Sequence, residues 1–116
     1  MKDPKLIKER TREGYNIFLA YDFPTYEAAN AFIIKADGEY QAEILTGINY
    51  FKMFDGKFRV ICVFNHMVFF GGLHEFAMLQ GAVQPSFKGK DVIAESLNNS
   101  SDKFLGNAAF AIRKYD

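Results

Sequence analysis

The chain of 116 residues carries 14 basic and 14 acidic side chains, with a hydrophobic fraction of 49% and a charged fraction of 24%. It is long enough for one core but too short for a catalytic domain with a separate binding domain, so a single domain spanning residues 1–116 is expected. The balanced charge removes the usual electrostatic ground for nucleic-acid binding.

From the N-terminus, Asp3-Pro4 ahead of a charged stretch predicts the start of a short helix with Gly14 as its stop. Residues 15–21 are mostly apolar with an alternating component and predict a strand, ended by Asp22-Phe23-Pro24. Thr25 is placed to cap a helix over 26–36, where Tyr26, Ala29, Ile33 and Ala36 form one apolar stripe and Asp37-Gly38 closes it. Residues 39–46 alternate, which predicts a strand with Tyr40, Ala42 and Ile44 inward.

Residues 50–72 hold seven aromatic side chains around two turn signals, Asp55-Gly56 and Gly71-Gly72. Asp-Gly between apolar arms predicts a type I′ hairpin. Its second arm, residues 57–64, becomes apolar on both faces and is expected at the centre of its sheet. Gly71-Gly72 predicts a second hairpin joining strands at 67–70 and 73–79, although 73–79 also suits a short helix. Beyond it, residues 84–90 form a loop, Asp91 caps a helix through Leu97, and residues 98–101 break the chain. Residues 102–114 have helical spacing, with Ala108, Phe110 and Ile112 also fitting a strand.

The expected architecture is therefore α+β: an antiparallel, meander-like sheet over residues 39–80 with an extra edge strand at 15–21, packed against the helix at 25–36 and C-terminal helices. The stretch Ile17-Phe18-Leu19-Ala20-Tyr21-Asp22-Phe23-Pro24-Thr25, followed by Tyr26-Glu27-Ala28-Ala29, resembles the opening strand and helix of orotidine-phosphate decarboxylases. The likeness consists of a strand, a turn and a helix cap. That family's charged catalytic cluster does not accompany it, and the chain is too short for the barrel, so no function is carried across.

The chemistry-bearing motifs are sparse. His66 and His74 are the two histidines, and with Cys62 as the single cysteine they make a poor zinc set; no cofactor or metal motif is found. Cys62 is expected as a buried thiol, which excludes an intramolecular disulfide. On an extended strand it lies about 13 Å from His66, so the two meet only if Asn65-His66 turns. Lys88 and Lys90 flank Gly89 ahead of a helix and are candidates for gripping an anion. No apolar run reaches bilayer length and none resembles a signal peptide, so a cytoplasmic protein without membrane contact is expected.

Three function classes remain open. The first is a small interaction protein that binds and inhibits or regulates another macromolecule, as a homo-oligomer, through surplus aromatic strand surface. The second is a domain that binds or sequesters a small anionic or aromatic ligand in an aromatic pocket closed by Lys88 or Lys90. The third is a small enzyme using His66, His74, Glu75 or Tyr50 as acid or base. The candidate binding residues across these classes are Tyr50, Phe51, Phe69, Phe70, His66, His74, Lys88 and Lys90.

Overall fold

The computed structural model describes residues 3–89 and 91–101. They form an α+β fold with the elements β1 (Ile7–Thr11), β2 (Gly14–Phe23), α1 (Tyr26–Glu39), β3 (Leu45–Lys52), β4 (Phe58–Phe64), α2 (Gly71–Leu79) and α3 (Val92–Asn98). The four strands make one antiparallel sheet in the order β1-β2-β4-β3. Two hairpins, β1–β2 and β3–β4, are joined by α1, which carries the chain to the far edge. The sheet is antiparallel as expected but not a pure meander.

β4 is central and covered on both faces, as its unbroken apolar run predicted: residues 60–64 are all fully buried. Period-two alternation divides the neighbouring strands between two cores. Ile17, Leu19, Tyr21 and Phe23 of β2, with Val60, Cys62 and Phe64 of β4, face the helices, where Ala29, Phe32, Ile33 and Ala36 of α1 and Leu73 and Ala77 of α2 close over them. On the opposite face, Phe18, Ala20, Phe51, Ile61 and Val63 pack with Val92 of α3 and with Phe87, Ile93 and Ile7. Each large apolar side chain so buried contributes about 1.5–3 kcal/mol. Both faces are thus covered within the chain, and the expected uncovered aromatic face is absent from the described residues.

The hairpin at Asp55-Gly56 is present, with a longer loop than type I′. Met53 N–H donates to Lys57 O at 2.8 Å, Gly56 N–H donates to Met53 O at 3.0 Å, and only Gly56 takes positive φ, at 90°. This is the pattern of a three-residue loop, in which a turn is followed by a left-handed glycine. Thr25 caps α1 as expected, its Oγ1 accepting from Ala28 N–H at 3.1 Å. Asp91 does the same for α3 through Ala94 N–H at 3.0 Å.

Other expectations are corrected. Residues 7–11 form a strand rather than part of a helix: Ile7, Glu9 and Thr11 are half-buried and alternate with exposed Lys8 and Arg10, a period of two hidden by the charges. β2 therefore lies inside the sheet, not at its edge. Asp37-Gly38 does not end α1, because Gly38 keeps negative φ and Tyr40 N–H reaches back to Ala36 O at 3.3 Å. Residues 39–46 accordingly turn and only then begin β3, leaving Ala42 exposed. Gly71-Gly72 opens α2 instead of a hairpin, and residues 67–70 are a connector. Leu73, Phe76 and Ala77 fall at the spacing of one helical face, and burial against α1 and the sheet decides for helix.

The strand and helix that resemble the decarboxylase opening are β2 and α1, set here in an antiparallel sheet. Among the described residues no helix is long and apolar enough to cross a membrane. The segment expected at 102–114 lies outside the described residues.

Candidate functional site

The eight candidate side chains do not converge. Tyr50 is fully buried beneath α1, its ring stacked 6.1 Å from Tyr26, while Phe51 is buried on the opposite face of the sheet. Burial holds the Tyr50 phenol above its ordinary range, with Tyr26 and Glu27 adding to the shift. Phe70 is buried against Phe64, with ring centroids 4.8 Å apart. Phe69 points outward and is 80% exposed. Lys88 is exposed, and Lys90 lies outside the described residues.

The two histidines have separate environments. His74 on α2 is 8% exposed, with Nδ1 lying 2.6 Å from the hydroxyl of Tyr21 on β2. Burial raises the Tyr21 phenol well above its ordinary range, with smaller contributions from Cys62 and Tyr40. The hydroxyl thus stays protonated, and its hydrogen bond with the imidazole ties helix to sheet inside the core. His66 is exposed beyond the end of β4, where its Nδ1–H donates to Asn65 Oδ1 at 2.7 Å. Cys62 is fully buried on the helix-covered face, which separates it from exposed His66 and removes the cysteine–histidine pairing.

The loop expected to grip an anion already holds one from the protein itself. Lys88 N–H and Gly89 N–H donate to the carboxylate of Glu95, at 2.9 and 3.3 Å to Oε1, fastening the loop to α3. A buried ion pair was not visible in the sequence. Asp22 and Arg59, directly paired across β2 and β4, form a two-pronged bond with Nε–Oδ1 at 2.7 Å and Nη2–Oδ2 at 3.0 Å. Arg59 also donates to Ser96 Oγ at 3.1 Å and lies 5.1 Å from the Phe87 ring. It holds α3 and its preceding loop onto the sheet.

Of the candidate residues, His66 and Phe69 are exposed on the connector at residues 65–70, between β4 and α2. Tyr40 at the end of α1 donates its hydroxyl to Phe69 O at 3.0 Å and holds this backbone. The Phe69 ring rests over Gly71: a Cβ there would lie 2.5 Å from Phe69 Cζ and would push this exposed ring aside. Pro4, Leu6, Met67, Val68, Phe69 and Phe70 line an apolar groove of about 300 Å³. A polar cleft of about 380 Å³ begins one step earlier, lined by Asn65 and His66 together with Thr11, Glu13, Tyr15, Asn16 and Thr46.

Phe69, Phe70 and His66 of the expected set therefore lie on one connector, and the other five do not join them. Leu6, Met67 and the polar residues of β1, β2 and β3 were missed. Their grouping depends on strand order, which no local pattern reveals. Among the described residues no cluster of three or more His, Cys, Asp or Glu is placed to hold a metal ion. Compared with protein-family models, curated proteins and solved structures, the chain matches none.

Proposed function

We propose that the chain is a small interaction protein that binds and regulates another protein through the face built by residues 67–71 and the N-terminal segment. The observation that carries this reading is Phe69, an aromatic ring 80% exposed on a backbone pinned by Tyr40, beside the apolar groove. An aromatic ring on a held backbone has only its two side-chain torsions to lose on docking, and such rings dominate many interfaces. Met67, 58% exposed, extends the same face. Isolated exposed apolar residues are ordinary; an aromatic and a methionine flanking a groove are not. The buried aromatic rings of the sheet lend no support, because the chain's own helices use them. The cytoplasm is the compartment proposed, since a single cysteine, buried in the core, allows no intramolecular disulfide and gives no sign of an oxidising compartment.

The test is affinity capture from the native cell extract with the wild-type chain and with the Met67→Ser/Phe69→Ser variant, each confirmed folded by circular dichroism. A protein captured by the wild type and lost from the variant is expected. Equal capture by both would remove the docking role from this face. Light scattering across concentration tests whether that protein is a second copy of the chain.

A further inference from the structure

We propose that the polar cleft beside the connector is a binding site for a neutral polyhydroxylated ligand, a small saccharide. The sheet assembles this site from the ends of all four strands. Thr11 ends β1 and Glu13 lies in the turn after it; Tyr15 and Asn16 open β2, and Asn65 and His66 follow β4. Phe64 pairs with both Ile17 and Leu45, which brings these ends level.

Thr46 enters through an irregularity. The ladder between β3 and β4 shifts register between Leu45 and Gly47, and Thr46 Oγ1 donates to Val63 O at 3.1 Å. A bulge of this kind re-aims a side chain at the margin of a sheet. The donation uses the hydroxyl proton and leaves its lone pairs to accept. His66 is oriented in a similar way: Nδ1–H is held by Asn65 Oδ1 at 2.7 Å, which leaves Nε2 for a ligand and the Asn65 amide N–H groups as donors.

The lining selects the ligand class. Among the described residues Glu13 is its only carboxylate and no lysine or arginine lines the cleft, which disfavours an anion. A simple cation would engage only the acceptors of this lining and leave the amide N–H donors of Asn16 and Asn65 to water. A ligand whose every polar group both donates and accepts, as a sugar hydroxyl does, matches a mixed set of amide, hydroxyl, imidazole and carboxylate. Tyr15, 54% exposed, supplies a ring face for the C–H side of a pyranose. The volume of about 380 Å³ lies within the range of about 300–1,000 Å³ usual for ligand pockets.

The site is separate from the apolar groove, so its test is independent of the docking role. Uniformly ¹⁵N-labelled full chain is titrated with methyl glucoside, methyl galactoside, methyl mannoside, N-acetylglucosamine and maltose at millimolar concentrations. Sodium phosphate and tetramethylammonium chloride at matched ionic strength form two further arms. At least one saccharide is expected to shift the amides of Glu13, Tyr15, Asn16, Thr46 and His66 saturably. Tyr15→Ala should weaken that response about tenfold, whereas Phe69→Ser should leave it unchanged. Silence of these amides toward all five saccharides overturns the proposal. So does a response confined to phosphate or to tetramethylammonium, or saccharide binding that Tyr15→Ala leaves intact.

Discussion

The helix-covered face of the sheet and the connector at 65–70 use the same side-chain types to opposite ends. Phe64 and Phe70 meet edge to face in the core, while Phe69, next in the chain, stands in solvent. His74 is buried on Tyr21, whereas His66 lines an open cleft. Residue type alone does not separate a packing role from a binding role. The separating feature is burial: Phe70 and His74 are enclosed by the core, while Phe69 and His66 stand exposed, His66 even with Nδ1–H held by Asn65. On the connector, Phe69 and His66 each border a groove or cleft that segments from elsewhere in the chain complete.

The sharpest way to break this contrast is to remove an internal partner. Arg59→Met leaves the Asp22 carboxylate buried without its guanidinium and should cost about 3–5 kcal/mol in urea denaturation. A loss below about 1 kcal/mol, the range of exposed ion pairs, would show that the pair is not buried in solution. Tyr21→Phe removes the hydroxyl beside His74 Nδ1 and should cost about 1–3 kcal/mol, measured the same way. An unchanged stability would mean that water reaches His74.

Alkaline pH sharpens the same comparison. Burial raises the phenols of Tyr21 and Tyr50 above their unfolded value, so the native state keeps protons that the unfolded chain releases. Their contribution is fully present below about pH 10 and declines as pH rises toward the folded-state values. Tyr21→Phe should flatten the fall in melting temperature above about pH 10 relative to the wild type. The smallest effect is expected at the connector, where Phe69→Ser should change stability by less than about 0.5 kcal/mol because the ring is mostly solvated.

Much of the fold was legible because local signals agreed with tertiary packing. Thr25 and Asp91 cap the helices they were expected to cap, and the two-sided apolar run of β4 marked the centre of the sheet. The failures fall where two patterns coexist. In β1 the alternation was masked by charge, and at Gly38 and Gly71-Gly72 glycines that usually break or turn a chain sit inside helices. The candidate site was legible only in part. Phe69 and His66 stood out as residue types, but their neighbours Leu6, Tyr15, Asn16 and Thr46 arrive from distant parts of the chain through the order β1-β2-β4-β3. The Asp22–Arg59 pair is of the same kind, since its partners meet only through strand register.

The most direct measurement is partner capture and urea denaturation performed together on wild type, Met67→Ser/Phe69→Ser and Tyr21→Phe. If the connector is the binding face and the core only supports it, the connector variant loses the captured protein at near-native stability. Tyr21→Phe keeps the protein at reduced stability. Retention of the protein by a folded connector variant, or a stability loss above about 2 kcal/mol at Met67 and Phe69, would contradict that division.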